Sequence, residues 1–322
     1  MTSLRRLLGF VLAIALFVAV ERLTRATAGE YAVRVLAMCG VNAMLAVSLN
    51  LVNGTTGQFS IGHAGFMAVG AYVSATLTVM LLPIGAAIWR FPLAIMAGGG
   101  AAALTGLVVA IPAFRTRGDY LAIVTLAFAM IVKSALENIN VIGGPRGLLG
   151  IEGLSTMPWI FAWTVLSVWV IRNFVYSNPG RGVLAIREDE VAAELMGVNT
   201  RWVKIRAFMI ASFFAGVAGG LFTHLLQFIS PRIFDITKTT DILVMVYLGG
   251  VGSIGGSIMG ASLFTVLQEC LRPLGAWHMV IMPLLLVLLM LFRPRGIMGL
   301  REFTWFRPSV ERAQRPPEIH NS

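Results

Sequence analysis

The chain has 322 residues, of which 57% are hydrophobic and only 12% charged, with a formal charge of +10 and a mean hydropathy of +0.82. A soluble globule cannot hide that much apolar surface, so the composition places the chain in a lipid bilayer. Apolar runs long enough for helices, without short alternating segments, exclude a transmembrane barrel and predict an all-α, polytopic helical bundle.

In chain order, apolar windows lie near 4–20, 31–52, 61–82, 91–111, 119–133, 157–176, 205–229, 241–250, 256–271 and 277–292. A helix needs roughly 20 mainly apolar residues to cross the hydrocarbon core. About ten spans (8–10) are therefore expected, the eighth or the ninth being short enough to be a half-helix that dips in and returns. An inside N-terminus puts most of the 25 Lys and Arg residues in loops on that side, so both termini are expected in the cytoplasm. The basic charge does not suggest nucleic-acid binding, since no basic stripe with interleaved aromatics occurs. At the start, Arg5 and Arg6 precede an apolar run and Ala26-x-Ala28 has the spacing of a signal-peptide cleavage site. Glu21, Arg22 and Arg25 charge the segment before it, so an uncleaved first span is expected. Residues 1–300 are read as a single transmembrane domain containing a cytoplasmic loop at 177–204, and 301–322 as a disordered cytoplasmic tail.

Small residues recur every fourth position at Gly98, Ala102 and Gly106, at Ala211, Ala215 and Gly219, and at Gly252, Gly256 and Gly260. Such spacing strips one helix face of side chain and lets backbones approach. Two stretches exceed what a helix contact needs. "NGTTGQFSIGHAG" carries Asn53, Gly54, Gly57, Gln58, Gly62 and His63; "LGGVGSIGGSIMG" carries Gly249, Gly250, Gly252, Gly255 and Gly256. Broken helices at membrane depth survive only when buried or lining a wet cavity, so these breaks either line a solute pathway or are structural kinks. Ionisable residues in the spans are too sparse for a proton relay, and the single histidines His63 and His224 are read as hydrogen-bonded packing residues.

No energy source or catalytic centre is encoded. Lys133 and Lys238 precede Ser134 and Thr239 but lack the earlier glycines of a P-loop. Neither a metal-binding histidine pair nor a nucleophile elbow occurs, which disfavours a membrane enzyme. Cys39 and Cys270 form neither a disulfide framework nor a metal site.

"GRGVLAIREDEVAAELMGVN", residues 180–199, interrupts this apolar chain with Glu188, Asp189, Glu190 and Glu194. From Arg181 to Arg206 there are nine charged residues, so the segment lies in water. Acids at the front and Gly197 at the back predict a helix of about two turns near 188–196. Val191, Leu195 and Val198, with Ala192 and Ala193 beside them, would share one small apolar face, packed either on the chain's own span ends or against another protein.

This stretch resembles the cytoplasmic loop of permease subunits in the branched-chain amino acid (LivM-like) class of ABC importers. "LNLVNGTTGQFSIGHAGFMAVGAY", "RTRGDYLAIVTLAF", "GGPRGL", "FAGVAGGLFTHLLQFISPRIF", "LVMVYLGGVGSIGGSIMGA" and "FRPRGIMG" resemble the same class in the same order. The resemblance implies a non-enzymatic transport subunit in the bacterial plasma (inner) membrane, importing branched-chain amino acids by alternating access. Relatives with the same blocks carry urea, short amides or aromatic acids. It also implies a second related permease, two cytoplasmic ATPase subunits that bind ATP and Mg, and an extracytoplasmic substrate-binding protein, with no cofactor on this chain. The loop would be the coupling segment whose pattern is Glu-Ala-Ala, three residues, then Gly. Ala192, Ala193 and Gly197 fit that spacing, while Glu190 stands one residue early. An ATP-independent channel lined by the glycine breaks is the competing reading.

Overall fold

In the computed structural model, residues 29–81, 87–114, 120–292, 296–299 and 302 are described. The expected first span, the cleavage-like site and all of the expected tail except Glu302 lie outside them. The helices are α1 (Gly29–Thr55), α2 (His63–Thr76), α3 (Ala87–Ala113), α4 (Tyr120–Asn138), α5 (Met157–Val175) and α6 (Asn178–Glu188). They continue with α7 (Glu190–Leu195), α8 (Thr200–Leu226), α9 (Ile236–Gly249), α10 (Ile254–Leu271) and α11 (His278–Phe292). Among the described residues no strand occurs; the nearest thing is one antiparallel bridge between Leu148 and Ile229.

The starts of the later helices are written into the sequence. Ser177, Asp189, Asn199, Asp235 and Ser253 each accept a backbone N–H at the front of α6, α7, α8, α9 and α10. A cap of this kind contributes about 1 kcal/mol. Asn199 explains why α8 begins five residues before the expected span start at 205: charged Arg201 and Lys204 occupy its first turns, ahead of the apolar window.

Among the described residues, seven helices are long and apolar enough to cross a membrane: α1, α2 with its π-helical extension, α3, α4, α5, α8 and α10. This is a multi-pass membrane protein, with fewer full spans among the described residues than the ten apolar windows suggested. The windows at 241–250 and 277–292 became α9 and α11, of 14 and 15 residues. At 1.5 Å per residue they reach only about 21–23 Å, short of a hydrocarbon core roughly 30 Å thick. The window at 256–271 is a full helix, α10, turned back on α9.

The core is a seam of α2, α3 and α8 built on absent side chains. A Cβ at Gly70 would lie 2.2 Å from Gly216 Cα, one at Gly98 2.5 Å from the Gly70 carbonyl oxygen, and one at Gly219 2.1 Å from that of Met67. The first two small-residue stripes are thus close-packing surfaces, where backbone contact gains dispersion energy that lipid cannot supply. The third does the same for α9 and α10, since a Cβ at Gly260 would meet the Met245 carbonyl oxygen at 2.2 Å. Phe66, at 1% exposure, stacks on Phe128 and meets Phe208 edge-on, closing the seam. Both histidines are packing residues: His63 Nε2 lies 2.8 Å from Ser48 Oγ, and His224 Nδ1 donates to the Gly220 carbonyl at 2.8 Å.

The two ends of the bundle differ. One gathers the α1–α2 link, the start of α4, α6–α7, the start of α8 and the α9–α10 turn, as the Ile61 N–H bond to Thr125 Oγ1 and the Gly57–Arg187 contact show. The opposite end is laced by ion pairs: Arg90 with Glu152, Lys133 with Asp235 at 2.9 Å, and Arg272 with Glu269 at 3.0 Å.

Candidate functional site

The water-exposed segment between α5 and α8 folds as two helices, where the sequence predicted one over 188–196. Asp189, extended at φ −158° and ψ 114°, ends α6 and caps α7; its Oδ1 accepts from Val191 N at 2.8 Å and Ala192 N at 3.0 Å. Helix α6 was missed although Ser177 followed by Pro179 is a start signal, with the Ser177 hydroxyl accepting from Gly180 N.

Gly197 ends α7 in the manner expected of it. Its φ is +84°, Gly197 N donates to the Glu194 carbonyl at 3.0 Å, and Val198 N donates to the Ala193 carbonyl at 3.1 Å. These paired bonds form a Schellman cap, which needs a left-handed residue and favours an apolar contact across it. Ala193 and Val198 are placed to make that contact, and Ala193 is only 4% exposed.

The expected apolar face is therefore split. Ala193 turns inward and Val198 is partly buried, whereas Ala192, Val191, Leu195 and Met196 face outward, the last two 82% and 85% exposed. Met196, which the sequence reading passed over, is the most exposed of them; its place just after the helix, beside a glycine stop, was the available signal. Trp202 at the front of α8 adds a fourth large exposed side chain, at 56%.

Glu190, one residue early for the general pattern, has a role within the chain. Its carboxylate pairs with Lys204 Nζ at 2.6 Å; the Lys204 side chain is 7% exposed and its ammonium lies 5.9 Å from the centre of the Phe114 ring. The pair joins α7 to α8 and, through Phe114, to the end of α3. Val183 and Ile186 anchor α6 beneath, both buried. The element is thus held on the bundle by one face and leaves Val191, Leu195 and Met196 exposed on the other.

The glycine breaks come together at this same end. Gly54 is so close to Gly252 that a Cβ would lie 2.4 Å from its nitrogen, and Gly57 packs on Arg187 of α6. Asn53 exchanges two hydrogen bonds with Ser60, Gln58 N donates to the Val52 carbonyl, and a Cβ at Gly62 would meet the Thr125 carbonyl oxygen at 2.4 Å. On the second break, Gly249 and Gly256 meet backbone to backbone, Gly250 and Gly252 hold positive φ, and Gly255 N donates to Glu302. His63 is buried against Ser48, as above.

Residues 31–292 match the family described as "Branched-chain amino acid transport system / permease component". The chain belongs to that family. Among curated relatives, the high-affinity branched-chain amino acid transport system permease protein LivM of Escherichia coli (strain K12) is 35% identical over 291 residues, 79% of this chain and 67% of its own length. LivM of Salmonella typhimurium is 34% identical, over 81% of this chain and 68% of its own length. LivH of Escherichia coli (strain K12), another permease protein of the same description, is 26% identical over 84% of this chain and 92% of its own. No solved structure matches.

Proposed function

We propose that the chain is one permease subunit of an ATP-driven importer that carries branched-chain amino acids into the cell through the bacterial inner membrane by alternating access. Its relatives' names support the substrate class, and the two permease names under one system description, LivM and LivH, support pairing with a second, related permease. The observation that carries the energy coupling is α6–α7. Leu195 and Met196 stand almost fully in water on an element whose far side is locked to α8 by Glu190 and Lys204. ATP and Mg bind to two separate cytoplasmic ATPase subunits, and α6–α7 is where their closing motion enters the membrane part. The α6–α7 end is then cytoplasmic and the ion-paired end faces an extracytoplasmic binding protein.

Uptake of labelled leucine, isoleucine and valine, with urea, a short amide and an aromatic acid alongside, tests this in cells carrying the whole system. Uptake of the three branched-chain amino acids that stops when the ATPase active site is disabled is the expected result. Uptake that persists would make the chain a facilitator, and preference for another solute would replace the substrate.

A further inference from the structure

The docking face leaves the glycine breaks without a role, yet both are held by close backbone contacts at that end. Asn50, on α1 and 1% exposed, joins them. Its Oδ1 accepts from Gly252 N at 2.8 Å and its Nδ2 donates to the Ser253 carbonyl at 2.8 Å. One carboxamide thus satisfies a donor and an acceptor of the α9–α10 turn, whose Gly250 and Gly252 (φ 125° and 89°) stand outside any helix.

The turn is gripped from its other side as well. Glu302 accepts from Ile254 N at 2.7 Å and Gly255 N at 2.9 Å, while Ile297 N and Met298 N donate to the Leu248 and Gly249 carbonyls at 3.0 Å. The front of α10 and the end of α9 are therefore clamped between α1 and the segment after α11. Gly252 N, Ile254 N, Gly255 N and the Leu248, Gly249 and Ser253 carbonyls at the second break thus all bond to protein.

The α1–α2 link reaches the docking element directly. A Cβ at Gly57 would lie 3.3 Å from Arg187 Cγ, 3.6 Å from its Cα and 3.8 Å from its Cβ, so the link rests on the last turn of α6 at Arg187. α6 is continuous with α7 through the Asp189 cap. Contiguous contact thus runs from α7 to α6, to Gly57, along the link to Asn50, and into the α9–α10 turn. Close-packed elements of this kind pass on displacement instead of absorbing it.

We propose that Asn50 is a positioning residue of the transport cycle: it carries displacement of α6–α7 from the α1–α2 link into the α9–α10 turn, with Glu302 as the clamp on the far side. The inference rests on the docking role of α6–α7. It gives the two breaks a mechanical function in place of lining the solute path. Replacing Asn50 by an apolar residue removes both bonds and leaves the part-buried Gly252 N–H without its partner, while the Ser253 carbonyl keeps its bonds from Ser257.

The test uses the assembled transporter, with its partner permease, ATPases and binding protein, in proteoliposomes, and reads uptake and ATP hydrolysis together. Asn50→Leu is expected to lower the number of molecules carried per ATP by about tenfold or more while hydrolysis stays within about twofold. Glu302→Ala is expected to do the same more weakly, and Glu302→Gln, which keeps an acceptor, to recover most of the ratio. An unchanged ratio in Asn50→Leu overturns the proposal, whether both rates hold or both fall. A second variant does not disturb the buried amide: Gly57→Cys with Arg187→Cys, in a Cys39→Ser and Cys270→Ser background, places two Cβ atoms about 3.8 Å apart, the usual disulfide spacing. The oxidised cross-link is expected to form and to leave uptake within about twofold of the reduced protein, because α6 and the link move as one body. A cross-link that stops uptake until reductant is added overturns the relay; Gly57 sits at φ +69°, which a cysteine adopts only under strain, so the reduced double-cysteine protein is the reference for uptake. Uptake by the wild type without ATP would instead sink the importer reading itself, which the same liposomes reveal.

Discussion

The exposed pair Leu195 and Met196 gives the sharpest separation of docking from folding. Replacing both by serine removes side chains that are already 82% and 85% exposed, so the isolated subunit loses almost no buried area. Surface changes of that sort shift stability by within about 0.5 kcal/mol. In the assembly the same side chains are covered, and burying a Leu or Met side chain contributes roughly 1.5–3 kcal/mol. Two of them make about 3–6 kcal/mol, and since neighbouring contacts do not add fully, the lower end is the working figure. Each 1.4 kcal/mol is tenfold, so ATPase association should weaken about a hundredfold or more. The assay titrates the permease pair in nanodiscs with purified ATPase, alongside the thermal midpoint of the permease without ATPase. Ile186→Ser is the contrasting control: Ile186 is 4% exposed, and its loss should lower the midpoint itself. An affinity within about twofold of wild type for Leu195→Ser/Met196→Ser would refute the assignment of this face.

Gly197→Ala forces a Cβ into φ +84° without a clash, since nothing lies within 4 Å of the added atom. It should loosen the α7 cap by about 1–2 kcal/mol, and Gly197→Trp should abolish uptake while membrane abundance holds; normal transport in the tryptophan variant would count against α7. Gly216→Val should prevent accumulation of the subunit, because a Cβ there meets Ala102 Cβ at 2.5 Å, whereas Gly100→Ala, with open space around it, should match or exceed wild-type stability; immunoblots of membranes distinguish the two. Asp235 is held below the usual carboxylate range by its hydrogen bond from Lys133, then by that from Ile236 N. A depressed carboxylate stabilises the fold above its unfolded value and loses this as pH falls through its folded value. The thermal midpoint of the wild type relative to Lys133→Met should accordingly be constant between about pH 5 and pH 8 and converge only in stronger acid; a difference that vanishes near neutrality would contradict the pair.

Much of the docking element is local and was legible in residue order. Asp189 before the helix and Gly197 after it are cap signals whose bonds reach only a few residues, so α7 could be placed to within two residues at its start. The apolar windows likewise marked every long helix among the described residues, because the bilayer acts on each segment separately. What the order could not tell is which side of a helix is covered. Ala193 and Ala192 are adjacent and chemically identical; one is buried only because α7 lies back on its own chain, held by a lysine fourteen positions after Glu190. Met196 lies off the expected face, and only the seating of α7 leaves it projecting into water.

The glycine breaks mark the same boundary at longer range. Their sequence marked breaks over 53–65 and 248–260, since glycine clusters neither favour nor fill a helix, while the structure resumes helix at His63 and at Ile254. It determined the bilayer class, the positions of the apolar helices and the presence of a folded polar segment, because these follow from composition, period and caps. Only the tertiary structure decided that Asn50 meets Gly252 and Ser253 across some two hundred positions, that Gly57 rests on Arg187, and that Glu302 closes the turn. Those contacts arise from how the described helices pack on the α2–α3–α8 seam, and no local periodicity encodes a partner so far away along the chain.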